Sequence, residues 1–119
     1  MITTKKYDRH SAIELMPLLR SIAFEIEERT GTIGHIEERV SALGTTRTAH
    51  ADELRRRNAE LAEARRELRH VLEELEDLGC LLEPDQPLTI RVPGVDGDYA
   101  YRWHAGTGSL QPLEAERAA

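Results

Sequence analysis

Apolar positions in the first third of the chain recur at alternating spacings of four and three. Leu15, Leu19, Ile22, Ile26, Ile33, Ile36, Val40 and Leu43 keep this rhythm, and only Arg29 interrupts it. Such a repeat draws one greasy edge along a helix and predicts side-by-side packing at a shallow crossing angle. A second stripe, Leu54, Leu61, Leu68, Val71, Leu72, Leu75 and Leu78, marks a second helix, diluted near its start by Arg57 and Ala64. The predicted helices cover residues 8–43 and 49–78. Gly44-Thr45-Thr46-Arg47-Thr48 is the turn between them, with Gly44 as a left-handed cap.

The ends of both helices carry their own signals. Ser11-Ala12-Ile13-Glu14 reads as a capping box, and Asp8 is an equally good cap one turn earlier. Pro17 lies too deep for a first turn, so a kink is expected near it. Gly31 and Gly34 each weaken the middle of the helix by about 1 kcal/mol relative to Ala. They mark either a close helix approach or a soft spot. Gly79 ends the second helix.

Past Gly79 the period changes from helix to strand. Pro84-Asp85-Gln86-Pro87 is a turn, and Leu88-Thr89-Ile90-Arg91-Val92 alternates like a half-buried strand. Asp96-Gly97 tips a hairpin connection. Tyr99, Tyr101 and Trp103 fall on one face of the following strand, with Ala100, Arg102 and His104 on the other. Residues 109–113 add a third short strand, and 114–119 form a flexible tail. The expected fold class is mainly α: a long antiparallel helical hairpin, coiled-coil-like, with a small C-terminal antiparallel β-hairpin or meander over residues 80–113. An isolated two-stranded hairpin is marginal in water, so its aromatic face must pack on the base of the helices.

Composition narrows the function classes. At 119 residues the chain fits one domain, 1–119. Charged residues make up 32% and aromatic ones 4%, which suits long solvated helices better than a thick core. One apolar seam per hairpin implies a partner chain, so a homodimer through the helices is expected, with Leu19, Ile22, Ile26, Ile33, Ile36, Val40, Leu54, Leu61 and Leu68 as its interface. A further protein partner is compatible with that surface. The formal net charge of −6 is the reverse of a nucleic-acid footprint, and the Arg55-Arg56-Arg57 and Arg65-Arg66 clusters are diluted by glutamates on the same helix. No nucleic-acid or membrane partner is expected, since no apolar run reaches spanning length. The opening residues show no apolar leader, and Cys80 is the lone thiol, so a cytoplasmic location is the expectation.

Several segments together are similar to the bacterial domain of unknown function 2203 family. They are Tyr7-Asp8 before a helix carrying Leu15-Met16-Pro17-Leu18-Leu19, the junction Leu75-Glu76-Asp77-Leu78-Gly79-Cys80, and the strand Leu88–Val92 followed by Asp96-Gly97, Trp103 and Gly106. The Leu-Gly-Cys junction and the aromatic hairpin are the most specific of them. The chain departs from the family pattern at Arg102, where members place a Cys before the Trp, and at Thr107, where they place a Glu. A later Trp-His-Glu stretch and a closing Gly-Phe-Gly-Arg segment are missing. The resemblance implies no established activity, and no cofactor is expected.

Two sets of residues remain as candidate chemistry. Glu67 and His70 have the Glu-x-x-His spacing that supplies ligands to bundle-type di-iron sites. Two copies meeting at a symmetry axis, with Glu25 or Glu28, would hold iron or another divalent metal. The stripe through Leu68, Val71 and Leu75 instead turns His70 outward, which favours a surface pair. Arg91, Tyr101, Arg102, Trp103 and His104 form the one aromatic-plus-polar cluster. It either lines a site for a small ligand or peptide or supplies the core of the β tail. Cys80 reads as a buried small hydrophobe rather than a reactive thiol. His10 and Glu14 read as a surface pair, and His35 and His50 carry no constellation.

Overall fold

In the computed structural model, residues 6–44, 51–83 and 88–113 are described. Two long helices packed together, α1 (Arg9–Gly44) and α2 (Ala51–Asp77), precede a four-stranded antiparallel sheet. Its strands β1 (Leu81–Glu83), β2 (Thr89–Pro93), β3 (Tyr99–His104) and β4 (Ser109–Pro112) lie side by side in chain order, as a meander. The expected turns at Thr45–Thr48 and Pro84–Pro87, His50, and the tail 114–119 lie outside the described residues. The chain divides into two compact units, one of residues 1–24 with 72–119 and one of residues 25–71.

The first unit holds the sheet and most of the buried side chains. Of the two possible caps, Asp8 opens α1: Ser11 N–H donates to Asp8 Oδ1 at 2.8 Å, and Asp8 N–H donates to Ser11 Oγ at 3.0 Å. This is a reciprocal capping box one turn earlier than Ser11–Glu14, and Ala12 N–H makes the first helical bond to the Asp8 carbonyl at 2.9 Å. Helix α1 continues through Pro17. Ala12, Leu15, Leu19, Ile22 and Ala23 are all buried. The other walls of this core come from Leu75, Ile90, Val92, Trp103 and Leu113.

Helix α2 ends in a Schellman motif. Gly79 adopts φ of 80°, its N–H donates to the Glu76 carbonyl at 2.8 Å, and Cys80 N–H reaches back to the Leu75 carbonyl at 3.2 Å. Two residues after Gly79 the chain enters β1, a strand too short to show in the period of the sequence. The β2–β3 connection closes as read from Asp96-Gly97, with Gly97 at φ of 90° and Gly94 N–H donating to the Asp98 carbonyl at 2.7 Å. Gly94 is required for space, because a Cβ there would stand 2.6 Å from the Ala100 Cβ.

The second unit is the arm of the helical hairpin. Here Arg29 pairs with Glu67 at 2.9 Å and Glu37 with Arg65 at 3.0 Å. The two pairs ascend α1 while descending α2, so the helices run antiparallel within one chain. Arg29 and Arg57, the two charges that interrupt the apolar stripes, are each held by carboxylates, Arg57 between Glu53 and Glu60 at 3.7 and 3.1 Å. Gly31 and Gly34 do not mark a close approach, since a Cβ at either would meet nothing within 4 Å. Gly44 is a correction to the expected cap: it is the last residue of α1 and does not adopt a left-handed conformation.

Candidate functional site

The sheet register sorts the five residues of the aromatic-plus-polar cluster onto two faces. Directly opposed residues of neighbouring strands share a face, and successive residues alternate. Ile90 opposes Trp103 and Trp103 opposes Leu110, while Val92 opposes Tyr101, so both aromatic residues share the apolar face. Trp103 is 1% exposed and fills the core. Its indole N–H has no hydrogen-bond partner among the described residues.

Arg91, Arg102 and His104 occupy the opposite face. Arg91 and Arg102 sit directly across from one another on β2 and β3, a repulsive placement for two cations. Glu83 of β1 resolves it by accepting from both. Arg91 Nε and a terminal nitrogen each lie 2.7 Å from Glu83 Oε1, and Arg102 Nε lies 3.0 Å from Oε2. Burial pushes the Glu83 carboxyl up, but the Arg91 hydrogen bond and the charges of Arg102 and Arg91 outweigh it and hold the group below the usual range. Beside this trio, Thr89 Oγ1 lies 3.2 Å from His104 Nδ1. Glu83 was not singled out in the sequence, because nothing there shows that three residues after the helix return to pair with β2.

A second polar cluster joins the two ends of the first unit. Tyr7 donates its phenol to the Leu78 carbonyl at 2.9 Å, on the turn that ends α2. Next to it, Cys80 is buried, with Sγ 3.9 Å from the same carbonyl. Burial pushes the Cys80 thiol up to about 12, and burial together with the neighbouring Cys80 raises the Tyr7 phenol above its ordinary value. Both groups are therefore neutral hydrogen-bond donors at ordinary pH, and neither is primed as a nucleophile.

The metal alternative rests on Glu67 and His70, one turn from each other on α2. Glu67 is engaged by Arg29, and His70 is exposed on the polar side of α2, as the stripe implied. Among the described residues no three His, Cys, Asp or Glu side chains converge on a point where an ion would sit. His10 and Glu14 form the expected surface pair at 2.8 Å. Of the expected interface residues, Leu19, Ile22, Ile26 and Leu61 are buried within the single chain, while Ile33, Ile36, Val40, Leu54 and Leu68 are half-buried. No helix among the described residues is long and apolar enough to cross a membrane.

Comparison with the curated proteins and with the solved structures found no match in either. The segments that carried the family resemblance converge in space, since Tyr7 bonds the Leu78-Gly79-Cys80 junction and Trp103 lies in the core of the same unit. A family sequence model extends from the residues just before Tyr7 to the β3–β4 turn, covering residues 5–107, and on that match the chain belongs to the family described as Uncharacterized conserved protein (DUF2203).

Proposed function

We propose that this protein is a non-enzymatic helical-hairpin module that works by associating with a second copy of itself. The observation that carries the reading is the distribution of large apolar side chains on the helices. Leu19, Ile22 and Ile26 are spent on the core of their own chain, yet Ile33, Ile36, Val40, Leu54 and Leu68 are only half-buried. Ile13, Leu18 and Phe24 stand exposed on α1. A hairpin of two helices leaves large apolar side chains in water on its outer side, and a second copy supplies cover for them. The polar side chains of the sheet support the same reading, because Glu83, Arg91 and Arg102 are engaged with one another. A cytoplasmic setting goes with it, where a lone buried thiol stays reduced.

Sedimentation velocity or light scattering over the micromolar range tests the proposal. The expected result is a species of twice the chain mass. A stable monomer at tens of micromolar would overturn it.

A further inference from the structure

We infer that the second copy docks antiparallel on the outward face of α1, with Ile13 of each chain against Phe24 of the other. This deepens the self-association reading and rests on it, and it assigns the contact to the exposed side chains of α1 rather than to the half-buried seam. The inward face of α1 is defined by the buried residues Leu15, Leu19, Ile22 and Ile26. At 100° per residue the opposite face carries Ile13, Pro17, Arg20 and Phe24. Phe24 is 65% exposed and Ile13 is 46% exposed, and their offset of eleven positions makes about three turns, which leaves both on one line.

Charge says what covers this stripe. Arg9 and His10 precede the apolar segment, and Glu27 and Glu28 follow it. Arg9 and Glu27 are separated by eighteen residues, five full turns, and so are His10 and Glu28, so each pair lies on one flank of the same face. Two-fold symmetry between antiparallel helices brings like flanks together. With the axis midway between Leu18 and Leu19, Ile13 meets the partner's Phe24, Arg9 meets the partner's Glu27 and His10 meets the partner's Glu28. Each contact then occurs twice. A parallel arrangement would bring unlike flanks together and set Arg9 beside the partner's His10 and Glu27 beside the partner's Glu28, which is repulsive. Arg9, Glu27 and Glu28 make no ion pair within the described chain, unlike Arg29, Arg57 and Arg65, so their charges are available to a partner.

The test measures dimer dissociation of the full chain by sedimentation equilibrium, with far-ultraviolet circular dichroism as the check on folding. Phe24→Glu and Ile13→Glu replace exposed side chains, so the helical signal should stay at the wild-type level while the dissociation constant rises about tenfold or more, as for a central apolar contact. Arg9→Glu and Glu27→Arg should each weaken the dimer, and the double exchange should restore it. A wild-type dimer that tolerates Phe24→Glu and Ile13→Glu unchanged, or that is broken by Ile36→Glu in their place, would overturn the docking surface and leave self-association standing. A monomeric wild type would overturn both.

Discussion

The phenol of Tyr7 donates to the main-chain carbonyl of Leu78, 2.9 Å away and 71 residues later in the chain. The bond ties the residues before α1 to the turn that ends α2, where backbone carbonyls lose their helical partners. Tyr7→Phe should therefore cost about 1 kcal/mol of stability, the usual net value of one such bond, with the ring packing retained. Urea unfolding of the variant beside the wild type checks this. An unchanged midpoint would show that water replaces the phenol without loss.

Alkaline pH should loosen the same junction. The folded Cys80 thiol holds its proton to about pH 12, against an ordinary value of 9.0, and the Tyr7 phenol is shifted in the same direction. Between those limits the folded chain binds protons that the unfolded chain releases, so stability falls as pH rises. It is fully present below about pH 9 and is lost progressively towards 12. Cys80→Ala should flatten the decline measured by urea unfolding at several pH values, at the cost of a small cavity. A decline of equal steepness in the variant would remove the thiol as its cause.

The helices were legible because burial on one side leaves a rhythm of fours and threes, and Gly79 and Asp96-Gly97 were legible because each supplies a left-handed turn. The sheet was less so. Strand β1 is three residues long, below the length at which alternation is visible, and its pairing with β2 depends on a return of the chain that no local residue announces. That is why Glu83, the residue that organises Arg91 and Arg102, was missed. The alternation along β3 was legible, with Tyr101 and Trp103 on one face and Arg102 and His104 on the other, and what the register adds is that Arg91 stands opposite Arg102. Asp8 and Ser11 were both read as caps, and only the structure shows them bonded to one another.

Gly34 offers a prediction of opposite sign. It lies inside α1, has a helical conformation and leaves open space where a side chain would begin. Gly34→Ala should stabilise the protein by about 0.5–1 kcal/mol, because it restricts the unfolded chain and meets no obstacle in the folded one. Gly94→Ala should do the reverse, since its Cβ would overlap that of Ala100. Thermal unfolding of the two variants gives the comparison. A destabilised Gly34→Ala protein would mean that the arm is covered at that point by something beyond the single chain.

Glu83 is the carboxylate on which the polar face of the sheet turns. Its side chain is 16% exposed and serves Arg91 and Arg102, which face each other across β2 and β3. Glu83→Gln keeps the shape but removes the charge, leaving two guanidinium groups opposed with the loss of a charge-assisted network. The expected cost is about 1–3 kcal/mol, less than for a fully buried pair because Arg91 retains access to water. Adding Arg102→Gln should recover part of that loss, since the repulsion then disappears, although Arg102 has further contacts that the change also removes. Acid should act as the single variant does. The carboxyl is held below its ordinary value of 4.5, so its contribution is present above that pH and is lost as pH falls through the depressed value. If Glu83→Gln unfolds at the wild-type midpoint at neutral pH, the trio contributes nothing to holding β1 on the sheet.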